Sequence, residues 1–262
     1  MIQSTSNLLQ YSQDGHVGII TFNNPPANTW TLESLNALQD LIIALNEDPG
    51  VFAIALKSDS EKFFSAGADL KLFASGDRAV GYEMARAFGA AFEALSAFRG
   101  FSVAAINGWA MGGGLEVALA CDVRLADEGV QMALPEAHVG LLPCAGGTQN
   151  LTRLVGEGWA KRMILCNERI SAEQALQIGL VEEVTPKGTV QDVALALARQ
   201  ACLQSPKALA ACKQLIQHTR HGLHSEALLL ERDLFLDLFN TEDQQEGVQA
   251  FLEKRAPVWK NR

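Results

Sequence analysis

FSVAAINGWAMGGGLEVALACDVRLA, residues 101–126, decides how this chain folds. Phe101–Ile106 is a short apolar run bounded by a turn, the pattern of a buried strand. Asn107 to Gly114 is a glycine-rich break. Leu115–Cys121 is apolar on every side apart from Glu116, as a buried helix is, and Val123–Ala126 returns to strand character. Strand, glycine turn, helix and strand in immediate succession imply an α/β fold with parallel pairing.

The alternation extends outward in both directions. His16–Phe22 is a β-branched run between Asp14-Gly15 and Pro25-Pro26, and Phe52–Lys57 is a second short strand. Thr31–Glu47 carries Leu32, Leu35, Leu38, Leu41, Ile42 and Leu45 at helical spacing, and Ala79–Phe98 carries Met84, Phe88, Phe92 and Leu95. Gln131–Leu134 is a further strand candidate. From about residue 146 the pattern turns helical almost throughout, with helices expected at Val190–Cys202, Pro206–Thr219, Glu226–Phe239 and Glu242–Lys254. The expected division is an α/β core over residues 1–195 and a helical oligomerisation module over 196–262.

Composition excludes several classes. Hydrophobic residues make up 48% and charged residues 19%, too apolar a chain for disorder. Thirty acidic against 21 basic residues give a net charge of −9, which opposes general nucleic-acid binding. The five cysteines form no C-x-x-C pair, so neither a disulfide framework nor a zinc knuckle is expected; a reducing, cytoplasmic setting is. The cysteines read as packing residues. MIQSTSNLLQYSQDGH has no basic start and no apolar stretch, so no signal peptide is expected, and no membrane span either. Phosphate-loop, dinucleotide, zinc-protease and nucleophile-elbow signatures are missing. His218, His221 and His224 swing around a helix with no carboxylate beside them, so they read as a solvated helix end rather than metal ligands.

Three segments carry chemistry. In Phe63–Leu70 (FFSAGADL), small residues after a strand let backbone N–H groups approach a ligand. In Asn107–Glu116, the glycines open a helix whose first N–H groups point at an electron-rich oxygen, aided by the helix dipole. Two such turns supply the two separate donors that an oxyanion hole needs. In the third, Leu134-Pro135-Glu136, a carboxylate among apolar neighbours tends toward a raised pKa, as a proton donor requires. A capped surface glutamate is the competing reading of Glu136, and a plain tight turn that of either glycine segment.

Taken together, FSAGADL, AAINGWAMGGGLEVALACD, LPEAHVGLLPCAGGTQNLTRLVG, GLVEEV and TEDQQEGVQAFLEKRAPVW resemble the crotonase family, the enoyl-CoA hydratases and isomerases, over nearly the whole chain. The resemblance implies an α/β spiral of ββα units with C-terminal helices that support homotrimers or dimers of trimers. It implies acyl-CoA thioester substrates and no metal or redox cofactor. By match to the family motif, the N–H groups of Ala68 and Gly113 form the oxyanion hole. Family hydratases use two glutamates, matched by Glu116 and Glu136. Glu136 is assigned delivery of a proton to C2, and Glu116 the orientation and activation of water. Isomerases of the family usually keep only the Glu136-type residue, and its hydrolases usually lack the other.

The resemblance places CoA along Ala66, Asp69 and Leu70, with Lys71 and Lys254 near its phosphates and Phe251 over the adenine, from this subunit or a neighbour. It makes hydration of a trans-2-enoyl-CoA the leading expectation. Double-bond isomerisation, or hydration of a branched or dicarboxylic enoyl-CoA, is the alternative. An RNA-binding role, known for some relatives with basic stretches, is opposed by the charge here. β-Oxidation is one of several pathways that use the leading reaction. Two features depart from the pattern: Cys144 stands where many relatives have glycine, and Asn23–Asn28 lacks the common arginine of that loop.

Overall fold

The computed structural model describes residues 2–220 and 222–262. Six strands form a larger sheet in the spatial order β1 (Leu9–Asp14), β2 (Val17–Phe22), β3 (Ala53–Ser58), β5 (Phe101–Ile106), β7 (Val123–Asp127) and β10 (Glu183–Thr185). Only β1 runs antiparallel to its neighbour. Four shorter strands form a second sheet: β4 (Phe63–Ser65), β6 (Trp109–Met111), β8 (Gln131–Ala133) and β9 (Ile170–Ser171), the last antiparallel.

The chain alternates between the two sheets. β3 is followed by β4, β5 by β6 and β7 by β8, and each pair then leads to a helix: α2 (Arg78–Ser96), α3 (Gly113–Ala120) and α4 (Gly147–Leu165). This is the spiral of ββα units the sequence resemblance implied. It fixes where a site can form. Because β4, β6 and β8 are parallel neighbours, the segments leaving their C-terminal ends emerge side by side. Those segments begin at Ala66, Gly112 and Leu134.

The larger sheet is buried on both faces, and the period-two rule sorts its residues. Ile54, Leu56, Ala104 and Ile106 face the main core, which they share with Leu35, Leu38, Leu41, Ile42 and Leu45 of α1 (Leu32–Glu47) and Phe88, Phe92 and Leu95 of α2. Ala53, Ala55, Val103, Ala105 and Leu125 face the other way, against Val190, Ala194 and Ala198 of α6 (Val190–Ala201). Small residues on that face let α6 lie close. Helix α1 begins at Thr31, whose hydroxyl accepts from the Ser34 N–H while the Ser34 hydroxyl accepts from the Thr31 N–H.

The remaining helices are α5 (Ala172–Gln177), α7 (Pro206–His218), α8 (His224–Leu238) and α9 (Glu242–Glu253). Residue 195, the boundary expected from the sequence, falls within α6, which packs on the sheet. The expectation of helix almost throughout after residue 146 is corrected by β9 and β10; strands of two and three residues are too short to show a period. His218 closes α7 and His224 opens α8, while His221 lies outside the described residues. Among the described residues no group of side chains has the arrangement of a metal site, and no helix is long and apolar enough to cross a membrane.

Candidate active site

The ends of β4, β6 and β8 border one cavity of about 490 Å³. The turn after β4 is held from behind by the loop that departs from the family pattern. Ala66 N–H donates to the Ala27 carbonyl (2.9 Å) and Trp30 N–H to the Gly67 carbonyl (2.8 Å). Asn28, buried and at φ 51°, donates from Nδ2 to the Ser58 hydroxyl (2.7 Å) and the Phe64 carbonyl (3.2 Å). The loop thus serves as a clamp on the turn, a role that no sequence signal revealed.

Gly67 is the pivot of this turn. Its φ of +87° disfavours any side chain, and a Cβ there would lie 2.7 Å from the Met111 carbonyl oxygen and 3.2 Å from the Gly113 nitrogen. The two small-residue turns therefore touch, and only glycine at 67 allows it. Gly113 has its own reason to lack a side chain, since a Cβ would lie 2.8 Å from the Phe88 ring. As the first residue of α3, Gly113 has an N–H with no partner inside the helix. Ala68 and Gly113 both border the cavity.

Glu116 lies on the first turn of α3 and is only 2% exposed. Its Oε1 accepts from the N–H groups of Ala145 (2.8 Å) and Gly147 (2.9 Å), at the start of α4. Burial pushes its pKa up, and these two donors pull it back. Glu136 opens a 3₁₀ turn after β8 and is half-buried, with Oε2 buried and unpartnered. Burial, reinforced by the negative charge of Glu116, raises its pKa to about 7. A Cβ on Gly112 would lie 2.9 Å from Glu136 Oε1, so this carboxylate rests on the glycine turn itself.

The arrangement brings two carboxylates of unlike environment to one cavity, beside two turns that offer backbone donors. Burial raises the pKa of both; two N–H donors temper the rise at Glu116, while Glu136 is poised to exchange a proton at neutral pH. Of the residues expected from sequence, Ala66, Ala68, Asp69, Leu70, Gly113, Glu116 and Glu136 all border this cavity. The Asp69 carboxylate accepts from the Lys71 N–H and caps the 3₁₀ turn Leu70–Phe73. Lys71 is exposed and off the cavity wall; Phe251 on α9 is 82% exposed, and Lys254 caps that helix. Within one chain, neither of these last two reaches the cavity.

Other wall residues went unforeseen: Thr29, His138 and Arg169, together with Phe88, whose helical spacing marked it as core. Arg169 is drawn in only because β9 pairs antiparallel with β8, a pairing invisible in a two-residue strand. Cys144 also lines the cavity. The reading of the cysteines as packing residues holds for buried Cys121, whereas Cys144, Cys166 and Cys212 are exposed.

Comparison with known proteins bears on this geometry. A profile of the family described as Enoyl-CoA hydratase/isomerase matches residues 12–262. The chain is 38% identical over 256 residues to the 2,3-dehydroadipyl-CoA hydratase of Escherichia coli strain K12, covering 96% of this chain and 98% of that protein. It is similar to the solved structure of Pseudomonas aeruginosa DspI, with 58% identity, a TM-score of 0.95 and 97% of each chain covered. A crystal structure of an enoyl-CoA hydratase from Bacillus anthracis superposes with a TM-score of 0.93 at 34% identity, covering 98% of this chain and all (100%) of that one.

Proposed function

The chain belongs to the enoyl-CoA hydratase/isomerase family, and on that premise we propose that it adds water in syn fashion to a trans-2-enoyl-CoA, giving a 3-hydroxyacyl-CoA. The observation that carries this reading is the pair of carboxylates, Glu116 and Glu136, on one cavity with unlike proton affinities.

The reaction needs three things at once. Water must lose a proton as its oxygen bonds to C3. The electron pair of the double bond must move toward the thioester carbonyl as an enolate. C2 must then gain a proton. Glu116, whose Oε1 is fixed by two N–H donors that offset part of its burial, takes the proton from water. Glu136 gives its proton to C2, a task suited to a group titrating near neutrality. The N–H groups of Ala68 and Gly113 receive the enolate oxygen, and each such donor is worth about 10²–10³ in rate. The two carboxyl groups then exchange the proton gained by Glu116, which resets the site.

CoA would run along Ala66, Asp69 and Leu70, with Lys71 near its phosphates. Phe251 and Lys254 would serve a site on an adjoining copy, in a homotrimer or a dimer of trimers built on a C-terminal helical module. We place the enzyme in the cytoplasm, with CoA as part of the substrate and with no separate cofactor, metal or nucleic-acid partner.

Crotonyl-CoA tests the reading. Purified protein should remove the absorbance of the conjugated thioester, and Glu136→Gln should slow this by about 10² or more. No loss of absorbance, from protein that still binds CoA, would overturn it for short chains. One observation favours a second reading. Arg169 places a cation without an ion-pair partner, among the described residues, on the cavity wall, and the Escherichia coli relative is named for a dicarboxylic substrate. Faster hydration of 2,3-dehydroadipyl-CoA than of trans-2-hexenoyl-CoA would select that reading.

A further inference from the structure

We infer that Cys144 is a specificity-determining residue, whose side chain narrows the acyl pocket beside C3 and disfavours acyl groups branched at that carbon. The inference rests on the hydratase reading for the identity of C3. It is carried by how Cys144 is held.

Cys144 borders the cavity together with Glu116 and Glu136. Its place in the cavity wall keeps it partly from water, and that burial, reinforced by the negative charges of both glutamates, holds its thiol protonated, with a pKa of about 11. Water that adds to C3 must pass between these two carboxylates. The C3 carbon and whatever it carries therefore lie against the wall they share, and Cys144 is part of that wall.

The segment cannot recoil to make room. Buried Pro143 precedes Cys144, and a Cβ on Gly147 would lie 2.9 Å from the Pro143 Cβ. Buried Ala145 follows it and is fastened by its N–H to Glu116 Oε1, which also accepts from Gly147. Any outward shift of residue 144 would break the bonds that hold the Glu116 charge. A side chain here thus takes its volume from the substrate. An unbranched chain leaves C3 in one direction, whereas a methyl branch requires a second space beside it.

The protonated thiol also fits such a wall. A thiolate next to C3 would itself add to the conjugated double bond, forming an S–C3 bond while C2 took up a proton. Keeping the proton on sulfur suppresses that dead end.

The test uses saturated thioesters, which cannot be hydrated. Calorimetric titration would compare butyryl-CoA with isovaleryl-CoA, which differ by one methyl on C3, against the wild type, Cys144→Gly, Cys144→Ala and Cys144→Val. The wild type should bind butyryl-CoA about tenfold or more tightly than isovaleryl-CoA, the scale at which one methyl group is discriminated in a pocket. That ratio should shrink progressively through Cys144→Ala to Cys144→Gly and grow in Cys144→Val. A ratio unchanged across the four proteins, or a wild type that does not discriminate, would overturn the inference. Failure of wild-type protein to hydrate crotonyl-CoA would instead overturn the hydratase reading for short chains, since the binding ratio is measured without any reaction.

Discussion

At neutral pH the Glu136 carboxyl is about half protonated, because burial lifts its pKa from 4.5 to about 7. Two consequences can be measured. As the proposed donor to C2, Glu136 must carry its proton when substrate arrives. The value of kcat/KM for hydration should therefore fall above pH 7, by about tenfold per unit, along a limb that reports the free enzyme. Stability responds to the same group. The folded state binds a proton that the unfolded chain releases, so this contribution is fully present below about pH 4.5 and is lost as the pH rises through about 7. The shift corresponds to about 3 kcal/mol at most. Glu136→Gln, permanently neutral, should therefore melt at a higher temperature than the wild type at pH 8.5 and differ little at pH 4.5. The variant would lose activity and gain stability together; a lower melting temperature at pH 8.5 would mean that the carboxylate is better solvated than its surroundings suggest.

Turns between elements, more than the elements themselves, hold the reacting groups. Changing Gly67 to Ala forces a Cβ to within 2.7 Å of the Met111 carbonyl in a backbone conformation that side chains avoid. The turn must then move away from Gly113, and the two backbone donors part. Gly67→Ala should lower kcat for crotonyl-CoA by about 10² or more, while circular dichroism retains the wild-type helix content. A loss of less than about threefold would argue against a shared oxyanion hole. The glycine turns were legible in the sequence, because small residues after a strand are a local signal; Glu116 and Glu136 stood out only through the family resemblance, since a lone carboxylate reads equally well as a capped surface residue. The long helices were legible for a similar reason: α1 and α2 repeat their apolar faces over several turns. β4, β6 and β9 were not, being two or three residues long and running straight into small-residue turns or a helix; β8, no longer, stood out only as a candidate because Leu134 prolongs its apolar run. β1 was missed as well, since a mostly polar edge strand, LQYSQD, resembles a loop. Arg169 and Asn28 owe their places to pairing between distant segments, which no short window contains.

The exposed surface of the whole molecule is unevenly apolar. Leu229 (60%), Phe235 (60%), Leu236 (62%) and Phe239 (52%) of α8 and its C-terminal cap stand open to solvent, with the Phe235 and Phe239 rings packed edge to face. Phe251 and Leu252 on α9 are more exposed still. Exposed apolar surface of this kind costs free energy in water and favours cover by a partner. The proposed homotrimer supplies that cover and also gives Phe251 and Lys254 a use, because neither reaches the cavity of its own chain. Light scattering should return three or six times the single-chain mass, and the double variant Leu236→Glu with Phe239→Glu should return one. If CoA is held across the subunit boundary, the dissociated variant should also bind CoA about tenfold or more weakly, equivalent to about 1.4 kcal/mol. Lys254→Ala in the intact oligomer should reproduce part of that loss without dissociation. A monomeric variant with wild-type CoA affinity would confine the binding site to one chain and leave the α8 and α9 faces a purely structural role.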